Sequence, residues 1–318
     1  MPVLHINEAE VAELLTMPEA VDAVETVFRK WALEEASNVP RMRCQTDHTM
    51  LHVLPAAAKT LKVIGYKAYT TTKKQARFHV TLYDGKTGDM LAIIQADQLG
   101  RIRTGAASGV ATRYLARPDA RTVGILGSGK QARTQLLAVA AVRPIEQAFV
   151  YSPTVENRQQ FATTMTAECG FPVIAVDQPE QAVKQADVVC TITSSVKPVM
   201  LGEWLQPGQH LNIAGSNMKF KTEIDLEVIK RCSKVVVDSR DQAMMEAGDL
   251  IPAVNAGIIQ WYDMPELGRL VDDHIPDRER TDEITLFKSL GIGLEDIAVG
   301  ILVYEKARTA GKGRELDI

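Results

Sequence analysis

The stretch VGILGSGKQAR, Val123–Arg133, decides the fold. An apolar run enters a G-x-G-x-x-A turn, and the following QARTQLLAVAAV has a helical pattern and precedes a second strand-like run, QAFVYS. In such a unit Gly127 makes the tight turn, Gly129 lets the backbone approach a pyrophosphate, and Ala132 permits close packing of helix on strand. The amide-rich helix N-terminus would hold the phosphates. The stretch therefore predicts a dinucleotide site; an accidental glycine turn in a nucleotide-free α/β domain is the alternative.

The chain after Arg121 continues this alternation of strands and helices. Its strand-like runs are TVGILG, QAFVYS, FPVIAV, DVVCTIT, HLNIAG and KVVVDS. Continuous apolar strands with helices between them indicate a parallel sheet that is covered on both faces. Six strands are typical of a doubly wound Rossmann domain. We predict this domain over residues 118–291, with helical stretches after Asp238.

The residues before this domain predict a second α/β domain. Capping-box signals at Asn7 and Thr16, each with a glutamate three residues on, begin two helices. The runs MLHVLPA, KVIGYKAYT, RFHVTLYD and DMLAIIQA predict a mostly antiparallel sheet. The final helix, LEDIAVGILVYEKARTAGKG, has no role in a Rossmann domain, so we expect it to pack back on the N-terminal domain, with the last residues frayed. The second domain is thus 1–117 plus 292–318, and the Rossmann domain is inserted in it.

The composition excludes several classes of protein. The net charge of −4 and the scattered lysines and arginines argue against a nucleic-acid surface. No window approaches the length of apolar residues that spans a membrane, and MPVLHINEAE lacks the basic and apolar regions of a secretory signal. The cysteines are far apart and no histidines share a ligand spacing, so we expect no metal site. We expect a cytoplasmic protein with reduced, buried thiols at Cys44, Cys169, Cys190 and Cys232.

Three cations in the N-terminal domain are candidates for holding a substrate. Lys67 lies in VIGYKAY, a mostly apolar strand, and lysine is costly to bury without a partner. Arg41 and Arg103 are of the type that makes two-pronged contacts with carboxylate or phosphate. From spacing alone, each is more commonly a solvated charge. No Ser/His/Asp set, paired-carboxylate motif or metal cluster competes with them.

The cofactor choice depends on the end of the second Rossmann strand. NAD enzymes often place Asp or Glu there to bind the ribose diol. This chain has Ser152, followed by Pro153 and Thr154 and later by Arg158. This position lacks a carboxylate, which would repel a 2′-phosphate. The sequence therefore permits and slightly favours NADP(H). It does not demand NADP(H), because no arginine follows Ser152 directly.

The order of several motifs resembles the ornithine cyclodeaminase/mu-crystallin family. These motifs are RIRTGAASGVATRYLAR, GILGSGKQA, HLNIAGSN, KTEID and FKSLGIGLEDIAVGILVYEKA. The resemblance covers nearly the whole chain. It implies an α/β substrate-binding and dimerisation domain, completed by the C-terminal helix, with an NAD(P)-binding Rossmann domain in the middle. It also implies a homodimer.

The resemblance implies a role for individual residues. Arg41 matches a carboxylate-binding residue, and Lys67 matches a substrate-contacting lysine that could polarise or protonate an imine. Leu290 matches a substrate-pocket residue, while His52 occupies a place where family members differ and is a candidate for setting substrate choice. The cofactor-contacting positions that the resemblance and the glycine motif imply are Arg103 (shared with the substrate), Thr104, Gly127, Ser128, Gly129, Lys130, Gln131, Ser152, Thr193, Ala214, Gly215, Ser216, Lys221 and Ser289.

One departure from the family bears on the reaction. Cyclodeaminases that convert ornithine to proline carry an aspartate where this chain has Asn217, in AGSNMKFK. An asparagine amide can hydrogen-bond an amine or imine but cannot take a proton. Hydride addition to a preformed imine would survive this change, with the proton coming from Lys67 or water. Asn217 therefore shifts the expected activity from lyase to reductase.

We expect an NAD(P)-dependent imine (ketimine) reductase or amino-acid dehydrogenase that acts on a small 2-imino or 2-oxo acid by hydride transfer. One alternative is an ornithine cyclodeaminase-type ammonia-lyase that uses NAD catalytically. Another is a non-catalytic, mu-crystallin-like binder of NADPH or a small ligand, which the presence of all three basic residues disfavours. The expected partners are a small amino or imino acid and a second copy of the chain, without nucleic acid, membrane or metal.

Overall fold

The computed structural model describes residues 2–275 and 277–317. The chain divides into two units, Met1–Arg103 with Gly291–Ile318, and Thr104–Leu290. The first boundary lies within one helix, α3 (Asp97–Leu115). The domain limits expected from the sequence, 1–117 plus 292–318 and 118–291, stay a prediction. Within the described residues, no helix combines the length and apolar character that crossing a bilayer requires.

The first unit is built on an eight-stranded sheet, and the predicted mostly antiparallel pairing is confirmed. The strand order is β15-β1-β7-β6-β5-β4-β2, with β3 also paired to β4. The expected fraying of the last residues is wrong for residues 314–316, because these residues form β15 and pair with β1, while residue 318 lies outside the described residues. The strands, numbered along the chain, are β1 (Val3–Ile6), β2 (Ala36–Asn38), β3 (Met42–Gln45), β4 (Met50–Ala58), β5 (Val63–Thr71), β6 (Ala76–Asp84), β7 (Met90–Gln95) and β15 (Arg314–Leu316).

The helices of this unit begin where their caps predict. The Asn7 side chain accepts from the amide of Glu10, and the Glu10 carboxylate accepts from the amide of Asn7, at 3.1 and 2.9 Å. The last helix packs on α2 and on strands β4 and β5, and its first turn is fully buried. The remaining bounds are α1 (Glu8–Leu14), α2 (Met17–Ala32) and α11 (Gly293–Thr309).

The second unit is a seven-stranded parallel sheet in the order β10-β9-β8-β11-β12-β14-β13. The six predicted strands and the helical stretches after Asp238 are present, and a seventh strand that was not predicted, β14, lies between β12 and β13. The strands are β8 (Thr122–Leu126), β9 (Gln147–Tyr151), β10 (Val173–Ala175), β11 (Val188–Thr191), β12 (His210–Ile213), β13 (Lys234–Val237) and β14 (Thr285–Lys288). The helices are α4 (Lys130–Val142), α5 (Val155–Cys169), α6 (Pro179–Lys184), α7 (Leu226–Arg231), α8 (Arg240–Glu246), α9 (Ile251–Asn255) and α10 (Leu267–Val271).

The four cysteines are free thiols, as expected. Burial was expected for all four: Cys190 is buried, Cys169 and Cys232 are half-buried, and the expectation is wrong for Cys44, which is exposed. The reason is local: β3 carries Cys44 and has a largely exposed surface along its whole length.

Candidate functional site

The three cations that the sequence singled out are buried in the first unit. Arg41 and Lys67 are 3% exposed and Arg103 is 6% exposed. Lys67 comes from β5 and Arg103 from α3. Lys67 Nζ and Arg103 Nε both donate to Asp296 Oδ1, at 2.9 and 3.0 Å. Arg103 also donates from Nη1 to Glu295 Oε2 at 2.7 Å. Three cations therefore share a buried site with two carboxylates, which leaves one net positive charge when all are ionised.

Burial and charge act differently on Lys67 and Arg103. Burial lowers the pKa of the Lys67 ammonium to about 8, although the Asp296 carboxylate opposes this, and Arg103 lowers it further. Burial also disfavours the Arg103 cation, but Asp296 and Glu295 outweigh it and raise the pKa of Arg103 above its usual value. Arg103 therefore stays charged, whereas Lys67 can give up a proton close to neutral pH.

Glu295 and Asp296 were not predicted as site residues. Both lie in the first turn of α11, where acidic side chains usually complement the helix dipole in contact with solvent. Here they are fully buried because Lys67 and Arg103 neutralise them. Gly291, just before this helix, has φ of +74°, and a Cβ there would lie 2.4 Å from Arg103 Nη1. The G-I-x-x-E-D segment that supported the family resemblance was the available signal.

Arg41 is tied to the same segment. Its Nη2 donates to the carbonyl oxygen of Gly291 at 2.8 Å. The chain from residue 291 to the first turn of α11 thus contacts both Arg41 and Arg103. Arg41, Lys67 and Arg103 are brought together around one stretch of backbone.

His52 is a buried, neutral side chain on β4. Arg43 Nε donates to its Nδ1 at 3.2 Å, so Nε2 carries the proton and donates to Thr71 Oγ1 at 3.1 Å. The imidazole stacks on the Tyr69 ring, with 4.1 Å between centroids. Burial lowers the pKa of His52 to about 4, and the charges of Arg43 and Arg41 add to this. His52 therefore presents an aromatic ring with both nitrogens engaged.

An aromatic row that the sequence did not predict continues from His52. Tyr69 pairs across the strands with both His52 and Phe78, so the three rings lie on one face of the sheet. The Tyr69 and Phe78 ring centroids are 5.0 Å apart. Lys67 Nζ lies 5.4 Å from the Phe78 centroid. The ammonium thus lies beside an aromatic surface that stabilises a cation.

The glycine-rich turn of the second unit has the geometry that its sequence predicts. Gly127 has φ of +116°, and a Cβ there would lie 2.5 Å from the Ile192 carbonyl oxygen, so no side chain fits. Gly129 caps α4, and a Cβ there would meet no atom within 4 Å. Lys130 and Gln131 begin the helix and are exposed. The amides of this turn are open to an anion.

The turn lies beside the end of β9. Ser128 Oγ donates to Ser152 Oγ at 2.8 Å. This places the ribose-position residue next to the phosphate-position loop, which is the arrangement that a dinucleotide site requires. Thr104, another predicted cofactor contact, is buried at the start of the second unit, and its carbonyl oxygen accepts from Gln135 Nε2 at 3.4 Å.

Glu223 joins two loops that carry predicted cofactor contacts, and it was not predicted itself. Its Oε1 accepts from the amide and the hydroxyl of Thr193, at 2.6 and 2.8 Å. Its Oε2 accepts from the amide of Gly215 at 2.7 Å and from Thr191 Oγ1 at 2.8 Å. Burial raises the pKa of Glu223, and the Lys288 ammonium opposes this. The carboxylate fixes the chain after β11 to the chain after β12.

The buried ion pair of Lys288 and Asp249 stabilises the loop that follows β12. Lys288 Nζ lies 2.7 Å from Asp249 Oδ2 and donates to the Ser216 carbonyl oxygen at 2.8 Å. Asp249 Oδ1 accepts from the amide of Glu223 at 2.6 Å. Because β11, β12 and β14 are neighbouring parallel strands, the residues that follow them lie at one edge of the sheet. This edge brings together the predicted residues Thr193, Ala214, Gly215, Ser216, Asn217, Ser289 and Leu290.

Two predicted contacts at this edge have distinct environments. Ser289 is buried, and its hydroxyl has no hydrogen-bond partner among the described residues. The half-buried Lys221 lies further along the loop after β12, where its amide donates to the Met218 carbonyl oxygen at 2.9 Å. At this edge the Ser289 hydroxyl is therefore a buried polar group that a ligand could satisfy.

Residues 4–311 match the model of the ornithine cyclodeaminase/mu-crystallin family. The chain belongs to this family. A curated member, the Delta(1)-pyrroline-2-carboxylate reductase of Bacillus cereus, is 33% identical over 99% of both chains. The Thermococcus litoralis Delta(1)-pyrroline-2-carboxylate reductase, solved with NADH and L-proline, superposes with a TM-score of 0.95 at 32% identity, covering 99% of this chain and 100% of that one. An archaeal alanine dehydrogenase dimer with bound NAD gives 0.93 at 32% identity and full coverage of both chains.

These likenesses confirm the predicted family and fold class, and they confirm NAD(P)-dependent oxidoreduction at a C–N bond as the reaction class. NAD(P)H is confirmed as the cofactor class. The slight preference for NADP(H) and the roles of individual residues stay predictions.

Proposed function

We propose that this chain reduces a small 2-imino acid to the amino acid with NAD(P)H, and oxidises the amino acid in reverse. The observation that carries the proposal is the buried cluster of Arg41, Lys67 and Arg103 with two carboxylates. Its single net positive charge suits one substrate carboxylate, because a buried charge needs a partner of opposite sign.

The residues of the second unit fit a nicotinamide dinucleotide. Gly127 and Gly129 leave room for a pyrophosphate at the start of α4. The buried Ser289 hydroxyl offers a polar group without a partner among the described residues. The cofactor would be held by residues of the turn, by Ser152 and by the two loops that Glu223 joins. When bound, the reduced nicotinamide supplies a hydride to the imine carbon.

The three cations would have different roles in the reaction. Arg41 and Arg103 hold the substrate carboxylate; Arg103 has five N–H groups and gives two of them to Asp296 and Glu295. The Lys67 ammonium, whose pKa of about 8 makes its proton transferable, donates to the imine nitrogen. One hydride at carbon and one proton at nitrogen complete the C–N single bond, and Lys67 regains its proton from water.

The first unit supplies a mainly aromatic wall for the substrate side chain. Both ring nitrogens of His52 are engaged in hydrogen bonds. A distal amine of the substrate would therefore find neither a carboxylate nor a free hydrogen-bond acceptor at His52. Asn217 cannot act as a base. Both residues favour an apolar or cyclic 2-imino acid over a diamino acid such as ornithine.

We further propose a homodimer and a cytoplasmic location. The alanine dehydrogenase of the same fold is a dimer. The first unit exposes the large apolar side chains Leu33, Val39, Met42, Leu51 and Ile64, which are suited to burial against a second copy. Light scattering of the purified chain should give twice the mass of 34.9 kDa.

Turnover tests the proposal directly. Purified protein should oxidise NADH or NADPH at 340 nm with Δ1-pyrroline-2-carboxylate or with pyruvate and ammonia, and it should release no ammonia from ornithine. Ammonia from ornithine without net cofactor change would support the cyclodeaminase instead. Dinucleotide binding without turnover across a panel of imines would support a non-catalytic binder.

A further inference from the structure

A buried arginine of α5 lies beside the end of β9. Arg158, in the first turns of α5, is 7% exposed. Its Nη1 donates to the Ser152 carbonyl oxygen at 3.1 Å, and its guanidinium lies 5.8 Å from the Tyr151 ring centroid. A charge that is this buried, next to the ribose-position residue, needs a counter-ion.

Asp177 supplies that counter-ion. Its Oδ1 accepts from Arg158 Nη2 at 2.7 Å, and it follows β10, the strand that pairs with β9. The Asp177 side chain is 87% exposed, so the carboxylate approaches the guanidinium from the solvent side. A carboxylate therefore lies at this end of the sheet although Ser152 itself is uncharged. The sequence did not reveal it, because Asp177 lies in the loop after β10, far from Ser152 along the chain.

The ion pair bears on the difference between NADH and NADPH. NADPH carries a phosphate with about two negative charges where NADH has the ribose 2′-hydroxyl. Arginine is the side chain best suited to such a phosphate, but Asp177 already cancels the charge of Arg158. Pro153, next to Ser152, has no N–H to donate. A 2′-phosphate at this site would therefore lie next to the negative charge of Asp177, with little positive charge or N–H donation to stabilise it.

We propose, against the slight preference for NADP(H) that Ser152 alone suggests, that the Arg158–Asp177 ion pair selects NADH over NADPH. Removing the Asp177 carboxylate would make the guanidinium a partner for the 2′-phosphate. The inference rests on the proposed NAD(P)H-dependent function only for dinucleotide binding, and it is independent of the substrate.

The role of the ion pair in cofactor choice is tested by the dissociation constants for NADH and NADPH. They are measured by nucleotide fluorescence on the full chain without substrate. The native protein should bind NADH more tightly. Asp177→Asn should tighten NADPH about tenfold, as expected when one opposing charge is removed beside a phosphate, and should leave NADH within about twofold. Because the Asp177 side chain is exposed and an asparagine oxygen can still accept from Arg158 Nη2, this variant should keep the fold.

Glu180→Gln is the matched control. Glu180 lies on α6, close to Asp177 in sequence, and pairs with Lys184 at 2.6 Å rather than with Arg158. The Glu180→Gln substitution removes one negative charge, as Asp177→Asn does, and should change the affinity for neither NADH nor NADPH. Adding Arg158→Gln, or Arg158→Lys if the glutamine variant melts early, to Asp177→Asn should cancel the gain in NADPH affinity.

Three results would overturn the proposal. These are a native preference for NADPH, an unchanged NADPH affinity in Asp177→Asn, and an equal gain in Glu180→Gln. Failure of native protein to bind either dinucleotide would instead remove the cofactor assignment and this proposal with it, whereas absent turnover with normal NADH binding would contradict only the proposed reaction.

Discussion

Replacing Asp296 by asparagine should move the alkaline limb of the pH profile. The Asp296 carboxylate lies 2.9 Å from Lys67 Nζ and is the main group that keeps the buried ammonium charged. With an effective dielectric constant of about 20, two opposite charges about 3 Å apart attract by about 5 kcal/mol. This corresponds to about four pKa units at about 1.4 kcal/mol per unit. Arg103 shares the same carboxylate oxygen, so we expect a smaller fall, about one to three units.

The sign follows from the role of Lys67 as a proton donor. Its ammonium form exists below its pKa, so kcat/KM of the native enzyme should fall as the pH rises through about 8. In Asp296→Asn the fall should begin at least one unit lower in pH. Loss of one partner of a buried pair should also cost about 3 kcal/mol of unfolding free energy, visible as a lower Tm.

The assay is kcat/KM for Δ1-pyrroline-2-carboxylate from pH 6 to 10, followed by NADH absorbance. Glu295→Gln is the control, because Glu295 pairs with Arg103 in the same cluster, whereas the charged groups that chiefly shift the pKa of Lys67 are Asp296, Arg103 and Arg41. It should lower kcat/KM and leave the alkaline limb in place. The ionisation of the substrate is common to all variants and does not affect the comparison. An alkaline limb at the same pH in Asp296→Asn as in the native enzyme would refute the assigned coupling.

Three further substitutions probe separate parts of the account. Lys67→Ala should lower kcat/KM by about tenfold to a hundredfold or more, as expected for a lost charged hydrogen bond, with NADH affinity within about twofold. Glu223→Gln should weaken NADH binding about tenfold in fluorescence titrations, because an amide cannot accept from both Thr193 and Gly215. Gly127→Ala should abolish NADH binding and lower Tm in calorimetry, since its Cβ would overlap a carbonyl oxygen.

Matched controls separate these effects from general damage. Lys59→Ala removes an exposed lysine whose ammonium donates to the Glu34 carbonyl oxygen, outside the buried cluster, and should leave kcat/KM unchanged. Glu227→Gln removes an exposed carboxylate on α7 and should not alter NADH affinity. Gly170→Ala has a similar positive φ but open space around it, so it should cost only about 1 kcal/mol of stability and leave binding intact. Equal effects in a test variant and its control would contradict the assigned role.

Local sequence patterns explain what could be predicted. The capping boxes at Asn7 and Thr16 depend on side chains three residues apart, so the sequence displays them completely. The turn at Gly127 depends on a backbone conformation that glycine adopts, and it follows an apolar strand and precedes a helix. These patterns located the dinucleotide loop and the class of fold.

Pairings between distant residues explain what could not be predicted. Strand β14 was missed; its last residue, Lys288, is buried with Asp249 and the Ser216 carbonyl oxygen, which both lie elsewhere in the chain. Asp296 resembles an ordinary acidic residue at a helix start until Lys67 is placed against it. Asp177 lies in the loop after β10, so inspection of Ser152 alone could not find it. Each depends on a tertiary contact that leaves no periodic trace in the sequence.

The most direct test of the proposed reaction follows the hydride itself. NADH doubly deuterated at C4 of the nicotinamide is incubated with the protein and Δ1-pyrroline-2-carboxylate, and the product is analysed by mass spectrometry. The account predicts proline that carries one deuterium at its α-carbon, with NADH consumed in equal amount. Proline without deuterium, or no consumption of NADH while the protein binds it, would contradict the account.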